Sequence, residues 1–196
     1  QWGRKDPFLG SSSISSSTEA KSTLTWPSAV SSDSSNGTID YAIEHPTTFI
    51  KRNSNNYDWH YTGSSSTDDT RWQSDKTIYD PCPAGWRVPD GGENGVWALA
   101  AGSPDSFTNT FDSTDKGMNL TGKLSSDETV WYPAVGYRHY QNGNLKDTGA
   151  NGVYWSATPI SGTNQVYCMV TREDDAVITV QNSMRAFGRG LRCVKE

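Results

Sequence analysis

Large aromatic rings set into an otherwise polar chain constrain this sequence more than any other feature. Eight Trp, nine Tyr and five Phe stand among 196 residues of which only 33% are apolar, and mean hydropathy is −0.71. Each ring removes roughly 150–250 Å² from water when it is buried. A few dispersed rings must therefore carry the core, and they supply enough apolar surface to exclude a disordered chain. Ser and Thr together make 45 residues, and Gly adds 18. Such a composition predicts many polar turns and loops rather than long helices. The length suits one domain, 1–196, able to bury a real core. No apolar run approaches the roughly 20 residues of a membrane span. A net charge of −5 argues against a sequence-independent nucleic-acid binder, which needs a basic face. Heptads, collagen triplets and solenoid repeats are absent.

The chain opens Gln1-Trp2-Gly3-Arg4, without Met or a signal peptide. We therefore expect it to be the C-terminal part of a longer protein, with an export signal, an anchor or another domain encoded before Gln1. Residues 1–9 read as a structured start, since Trp2 and Phe8 need burial. Residues 10–36 are Ser-rich and read as a loop or weakly paired segment, with Trp26-Pro27 as an anchor. Residues 38–44 predict a short helix with Ile39 and Ile43 on one face, stopped by Pro46. Thr48-Phe49-Ile50 reads as extended. Residues 53–76 read as a long ordered loop carrying Tyr57, Trp59, Tyr61 and Trp72. These rings could stack on sugars, but pinning the loop to the core is the better reading.

Residues 78–89 are too dense in Pro and Gly for a helix and predict a rigid turn presenting Trp86 and Val88 to the core. A helix is expected over 93–101, with Val96, Trp97 and Ala100 on one face and Gly102 beyond its end. The remainder reads as strands, at 119–124, 130–137, 153–158, 165–171, 177–180 and 190–194. Gln141-Asn142-Gly143-Asn144 predicts a hairpin turn with positive φ at both centres. Gly162-Thr163-Asn164 and the acidic Glu173-Asp174-Asp175 are further turns. Helices first and antiparallel strands after make an α+β pattern.

Cys82, Cys168 and Cys193 show no C-x-x-C pair and no His at ligand spacing, which disfavours zinc. An odd count allows one disulfide with a leftover thiol, or three buried thiols in a cytosolic protein. A Cys82–Cys193 bridge would close about 110 residues, worth about 4–5 kcal/mol in the chain-entropy model.

Four motifs then carry a resemblance. They are Cys82-Pro83-Ala84-Gly85-Trp86-Arg87-Val88-Pro89, Tyr132-Pro133-Ala134-Val135-Gly136-Tyr137-Arg138, Tyr154-Trp155-Ser156-Ala157-Thr158 and Arg192-Cys193-Val194-Lys195, with an opening Gln1-Trp2-Gly3-Arg4-Lys5-Asp6-Pro7-Phe8. In this order they resemble the C-type-lectin-like domains of surface lipoproteins and fimbrial-tip proteins of anaerobic gut bacteria. The resemblance implies a C-type lectin-like fold: two helices, small antiparallel sheets, long loops and termini close together. It also implies the Cys82–Cys193 disulfide and a place at the cell surface, as lipoprotein or fimbrial tip, or on a phage particle.

The last 30 residues further resemble the variable region of proteins targeted by diversity-generating retroelements. There a fixed scaffold displays substituted positions on one ligand-binding face. Within 166–187 that resemblance singles out Cys168, Val170, Arg172, Ile178, Val180, Gln181, Asn182, Ser183, Met184 and Phe187. Between them lie the fixed-looking Tyr167, Met169, Val177, Arg185, Ala186, Gly188 and Arg192. Met184 departs from the pattern, because its codon does not end like the usual Asn template codon. Met184 and Phe187 would supply apolar anchors, and Arg172, Gln181 and Asn182 polar contacts.

Other chemistry is weaker. Glu173-Asp174-Asp175 and Asp68-Asp69 could offer calcium oxygens, but the Glu-Pro-Asn and Trp-Asn-Asp triplets of calcium-dependent sugar binding are missing. Solvated turns are the better reading. Formylglycine-generating enzymes share the implied fold and use a cysteine pair, yet Cys168 has no second Cys nearby. His45, His60 and His139 stand in no nucleophile context. The expectation is therefore a recognition domain without catalysis, cofactor or metal, monomeric within a larger protein. Its partner would be a protein or carbohydrate on a cell or phage surface, and not nucleic acid. A structural fimbrial-tip role is the alternative.

Overall fold

A computed structural model of the chain describes residues 1–8, 29–63, 67–101, 108–122, 129–174 and 177–196. In chain order these hold β1 (Val30–Ser31), α1 (Ile39–Glu44), β2 (Ile50–Lys51), β3 (Trp86–Arg87), α2 (Val96–Ala101), β4 (Thr108–Asp112), β5 (Gly117–Thr121), β6 (Thr129–Pro133) and β7 (Tyr137–Arg138). There follow β8 (Leu145–Lys146), β9 (Asn151–Pro159), β10 (Gln165–Arg172), β11 (Val177–Met184), β12 (Gly188–Arg189) and β13 (Val194–Lys195). β1 and β2 pair in parallel; the β4-β5-β6, β12-β7-β8, β11-β10-β9 and β13-β3 sheets are antiparallel. Two short helices among small, mostly antiparallel sheets match the expected α+β class. Residues 9–28, most of the Ser-rich stretch 10–36 with Trp26-Pro27, and Gly102, Leu124 and Asp175 lie outside the described residues; the described end of that stretch holds the short β1.

The three longest strands organise the core. β10 lies between β9 and β11, and its side chains are buried on both faces. Val153, Trp155, Ala157, Val166, Cys168 and Val170 join one apolar cluster with Trp2, Trp72 and Val88. Tyr154, Met169 and Val177 join another with Trp97, Met118 and Tyr132. Period-two alternation thus lets one sheet serve two cores. β11 is longer than expected, since residues 181–184 continue the strand. The strand predicted over 130–137 is instead two, β6 and β7. Between them Gly136 adopts φ +65 and donates its N–H to Asn151 O at 2.7 Å, and a Cβ there would meet Lys146 O at 2.2 Å. Of the strand expected at 190–194 only Val194 lies in one, β13; β12 ends at Arg189, and Gly190 makes an isolated bridge to Tyr154. In the 141–144 turn only Gly143 has positive φ, because the turn closes as Gly143 N–H onto His139 O at 2.8 Å.

Thr38 caps α1 by accepting from Tyr41 N–H at 3.1 Å. The expected Ile39/Ile43 stripe does not form. Ile39 and Ala42 turn inward, while Ile43 is 64% exposed. The helix docks by its C-terminal carbonyls instead: buried Arg4 donates to Ala42 O, His45 O and Pro46 O at 3.0–3.2 Å. α2 begins at Val96 rather than Glu93, with Trp97 and Ala101 buried and Val96 and Ala100 packed beside them.

The 78–89 turn is organised by buried Asp80, whose carboxylate accepts from Cys82 N–H (2.8 Å), Val88 N–H (2.9 Å) and Lys76 Nζ (3.2 Å). Val88 is buried as expected. Trp86 is not: it pairs with Lys195 and is 44% exposed. β3 ends at Arg87, so strand alternation does not carry Trp86 and Val88 to one face. The Cys82–Cys193 disulfide is present, with Cα atoms 5.8 Å apart, and staples this turn beside β13.

The described residues of the 53–72 segment are irregular yet deeply set. Trp59 and Trp72 are buried, and Tyr57 and Tyr61 half-buried. Asp58 and Arg71 form a fully buried ion pair at 2.7 Å, with Arg185 Nη1 3.9 Å from the same carboxylate. Trp2 is the junction. Its ring lies under both Arg71 and Arg185, with guanidinium carbons 5.0 and 4.7 Å from the ring centroid. Its carbonyl accepts from Trp59 Nε1 (2.7 Å) and Arg71 Nη1 (3.1 Å). Its own indole N–H reaches Ser156 O on β9 at 2.9 Å.

Candidate ligand-binding face on β11 and its following turn

β11 is an edge strand, paired only with β10 among the described residues. Its register steps between Val170↔Ile178 and Cys168↔Gln181, with one intervening residue on β10 and two, Thr179 and Val180, on β11. The extra residue is a bulge, a device that re-aims side chains at sheet edges. Val177, Thr179 and Ser183 are buried. Val180 is 37% exposed, Asn182 is exposed, and Ile178, Gln181 and Met184 are half-buried. Arg172 is exposed at the end of β10. Gln181 Nε2 donates to Asn182 Oδ1 at 3.2 Å, a contact between neighbours that leaves both free to turn toward a ligand.

Three of the ten positions singled out in sequence do not belong to this face. Cys168 is 0% exposed, Val170 7% and Ser183 5%. Cys168 and Val170 face the Trp155 cluster from the middle strand, where a contacting ligand could not reach. Ser183 sits opposite Val166, and its Oγ accepts from Arg189 Nε at 2.8 Å. Ile178 leans on the same cluster. Arg172, Val180, Gln181, Asn182, Met184 and Phe187 remain accessible.

The turn after β11 is fixed from behind. Arg185 is buried, donating to Asp68 O at 2.9 Å and pairing with the Asp69 carboxylate. Ala186 N–H reaches Tyr57 O at 3.2 Å, and Phe187 N–H reaches Met184 O at 3.3 Å. Tyr57 is held at φ 55, a left-handed conformation uncommon for a bulky residue. Phe187 then enters an aromatic group. Its centroid lies 4.7 Å from Tyr140, 5.5 Å from Tyr137 and 5.6 Å from His139, all near edge-on. Arg189 stacks over Phe187 at 4.5 Å. Tyr57 meets Tyr140 at 6.0 Å, and Arg52 lies over Tyr57 at 4.3 Å. All these side chains are half-buried.

The sequence pointed to Phe187 and missed its neighbours. They come from the 53–58 loop, from the run that leads into the Asn-Gly turn and from β12, and no local spacing joins those segments. The run Tyr137-Arg138-His139-Tyr140 at the foot of that turn was the available signal. Burial lowers the pKa of His139, and Lys146 adds to the shift; burial raises that of Tyr137, reinforced by Asp147. His139 is thus neutral at neutral pH and acts as a further ring. Aromatic faces flanked by guanidinium groups suit stacking and cation–π contact with a partner surface.

Cys168 is enclosed, and burial pushes its thiol above the usual range. Asp68 Oδ1 accepts from Thr70 N–H at 2.8 Å and Oγ at 2.6 Å, while Asp69 holds Arg185. Among the described residues no three His, Cys, Asp or Glu side chains converge as metal ligands, and no helix is long and apolar enough to cross a membrane. The chain matches no family model, no curated protein and no solved structure.

Proposed function

We propose that this chain is a C-type-lectin-like recognition domain that grips its ligand with β11 and the turn after it. The carrying observation is the contrast within one short stretch. Arg185 and Ala186 are locked inside, whereas Val180, Gln181, Asn182, Met184 and Phe187 retain solvent access. Accessible positions tolerate substitution at within about 0.5 kcal/mol, and a stiff backing keeps each new side chain in place. This supports the resemblance to a retroelement-diversified protein, with variation concentrated at those positions and Arg172. The ligand is a protein or carbohydrate on a cell or phage surface. The chain works as a monomeric part of a larger protein, at a bacterial cell surface as lipoprotein or fimbrial tip, or on a phage particle. The disulfide favours such an oxidising setting.

One observation favours a second reading, a structural fimbrial-tip subunit. Among the described residues no strand pairs with the outer edge of β11, where a further strand could add. A Met184→Ala/Phe187→Ala double substitution separates the two. The recognition reading expects loss of binding to target cells in flow cytometry with assembly intact. Retained binding with failed assembly would favour the subunit role. A gene neighbourhood lacking both a near-identical template repeat and a reverse transcriptase would remove the diversification part of the proposal.

A further inference from the structure

A separate cleft of about 480 Å³ lies inward of β12, between the first eight residues and the β7–β12 ribbon. That volume falls in the usual range for small-molecule sites, roughly 300–1,000 Å³. Phe8, Trp72, Val135 and Leu191 contribute apolar walls. The polar lining is uneven. Arg189 lines the cleft, stacked against Tyr137, Trp155 and Phe187 at 4.5–5.5 Å. Its Nε is used by Ser183, but among the described residues its two terminal nitrogens have no hydrogen-bond partner and no carboxylate within ion-pair distance. Trp155, only 1% exposed, lines the same cleft, and its Nε1–H is buried without a partner. Arg4, 4% exposed, also lines it, with Nε buried and unpartnered. Buried donors are normally satisfied, and each orphan costs about 1–3 kcal/mol. Among the described residues Asp6 is the one carboxylate in the lining, and its charge acts on Arg4.

An apolar cleft with surplus donors and one unpaired guanidinium is complementary to a ligand that only accepts hydrogen bonds and carries an apolar body. We propose that this cleft binds an organic monocarboxylate with an aromatic or branched apolar tail, the carboxylate on Arg189 and the tail against Trp72 and Leu191. Guanidinium–carboxylate pairs are charge-assisted and can be bidentate, which selects a carboxylate over its neutral amide. The inference does not rest on the recognition reading. It concerns a small molecule in a cleft that shares only Tyr137 and Arg189 with the aromatic group around Phe187, and the two probes are compared without the surface ligand, so either can fail alone.

The test uses the whole chain and two probes, 4-phenylbutyrate and 4-phenylbutyramide, followed by the Trp155 indole N–H resonance and by calorimetry. The carboxylate is expected to bind saturably with a Kd of about 1 mM or tighter, and the amide about tenfold more weakly or worse. Arg189→Met should cost the carboxylate about tenfold or more and leave amide affinity unchanged, and Arg189→Lys should recover part of the loss. Equal affinity for the two probes, or no saturable shift at Trp155, overturns the proposal. The comparison of probes on the unaltered chain decides the matter even if Arg189→Met does not fold.

Discussion

The β9–β11 sheet and the 53–72 segment bury comparable aromatic side chains by opposite means. The sheet satisfies its backbone with ladder hydrogen bonds and hides Trp155 and Met169 among apolar neighbours. Among its described residues the 53–72 segment has no ladder. Side-chain oxygens of Asn53, Asn56 and Asp58 accept from backbone N–H groups two residues on, at 2.8–3.1 Å. Asp58 then neutralises Arg71, and Arg71 ties the segment to Trp2. Irregular chain can therefore be as deeply set as a sheet when carboxylates and guanidinium groups replace the ladder. The difference lies in failure. A trimmed apolar side chain leaves a void that neighbours partly fill, whereas a deleted ionic partner leaves a charge stranded away from water.

That contrast predicts a ranking. Asp58→Ala removes the closest carboxylate from Arg71, which is 0% exposed and keeps only the Asp68 carboxylate at 3.9 Å, and should cost about 3–5 kcal/mol. In a chain of this length the melting temperature should then fall by about 10 °C or more. Pairing Asp58→Asn with Arg71→Met should restore much of the loss, and no recovery in the double variant would break the comparison. Met169→Ala, within the sheet, should cost about 3 kcal/mol by urea titration, with no single partner substitution able to rescue it.

A smaller effect should appear with pH. Burial, with Arg71 adding to it, lowers the pKa of His60, whose ordinary value is 6.5. The folded state resists that proton while the unfolded chain accepts it. Stability is thus complete above about 6.5 and declines as pH drops from there toward the lowered folded value. Asp68 and Asp90 extend the decline at lower pH. Burial opposes the shift in both, but hydrogen bonds from Thr70 to Asp68 and from Arg87 and Ser74 to Asp90 prevail and hold the carboxyls below their usual value. His60→Gln should flatten the upper part of the melting-temperature profile; an unchanged profile would remove His60 from the account. Smallest of all, Val180→Ala should change stability by within about 0.5 kcal/mol, because β11 carries it outside both apolar clusters.

Much of the fold was legible because local rules governed it. Thr38 and Pro46 bracket α1, Pro and Gly density marks the 78–89 turn, and alternating apolar residues mark β9 and β10. The buried Arg4, Arg71 and Arg185 were not legible. Arginine ordinarily stays at the surface, and the carbonyls and carboxylates that hold these three come from distant segments. Trp86 misled for the converse reason, since a large ring reads as core until its strand is known to end one residue later. At the candidate face, the accessibility of Val180, Asn182 and Phe187 agrees with the sequence reading. Cys168 and Val170 were misjudged because strand periodicity cannot tell a middle strand from an edge. The rings around Phe187 went unseen because folding alone brings residues 57, 137 and 140 to it.

The buried guanidinium groups have a consequence for how other molecules meet this one. Among the described residues Arg4, Arg71, Arg138 and Arg185 lie inside, against only Asp58 and Asp80 as buried carboxylates. The outer surface of the described residues is therefore more negative than their summed charge indicates. An acidic visitor would be repelled at long range before it felt any nearby cation, so added salt should quicken its arrival instead of slowing it.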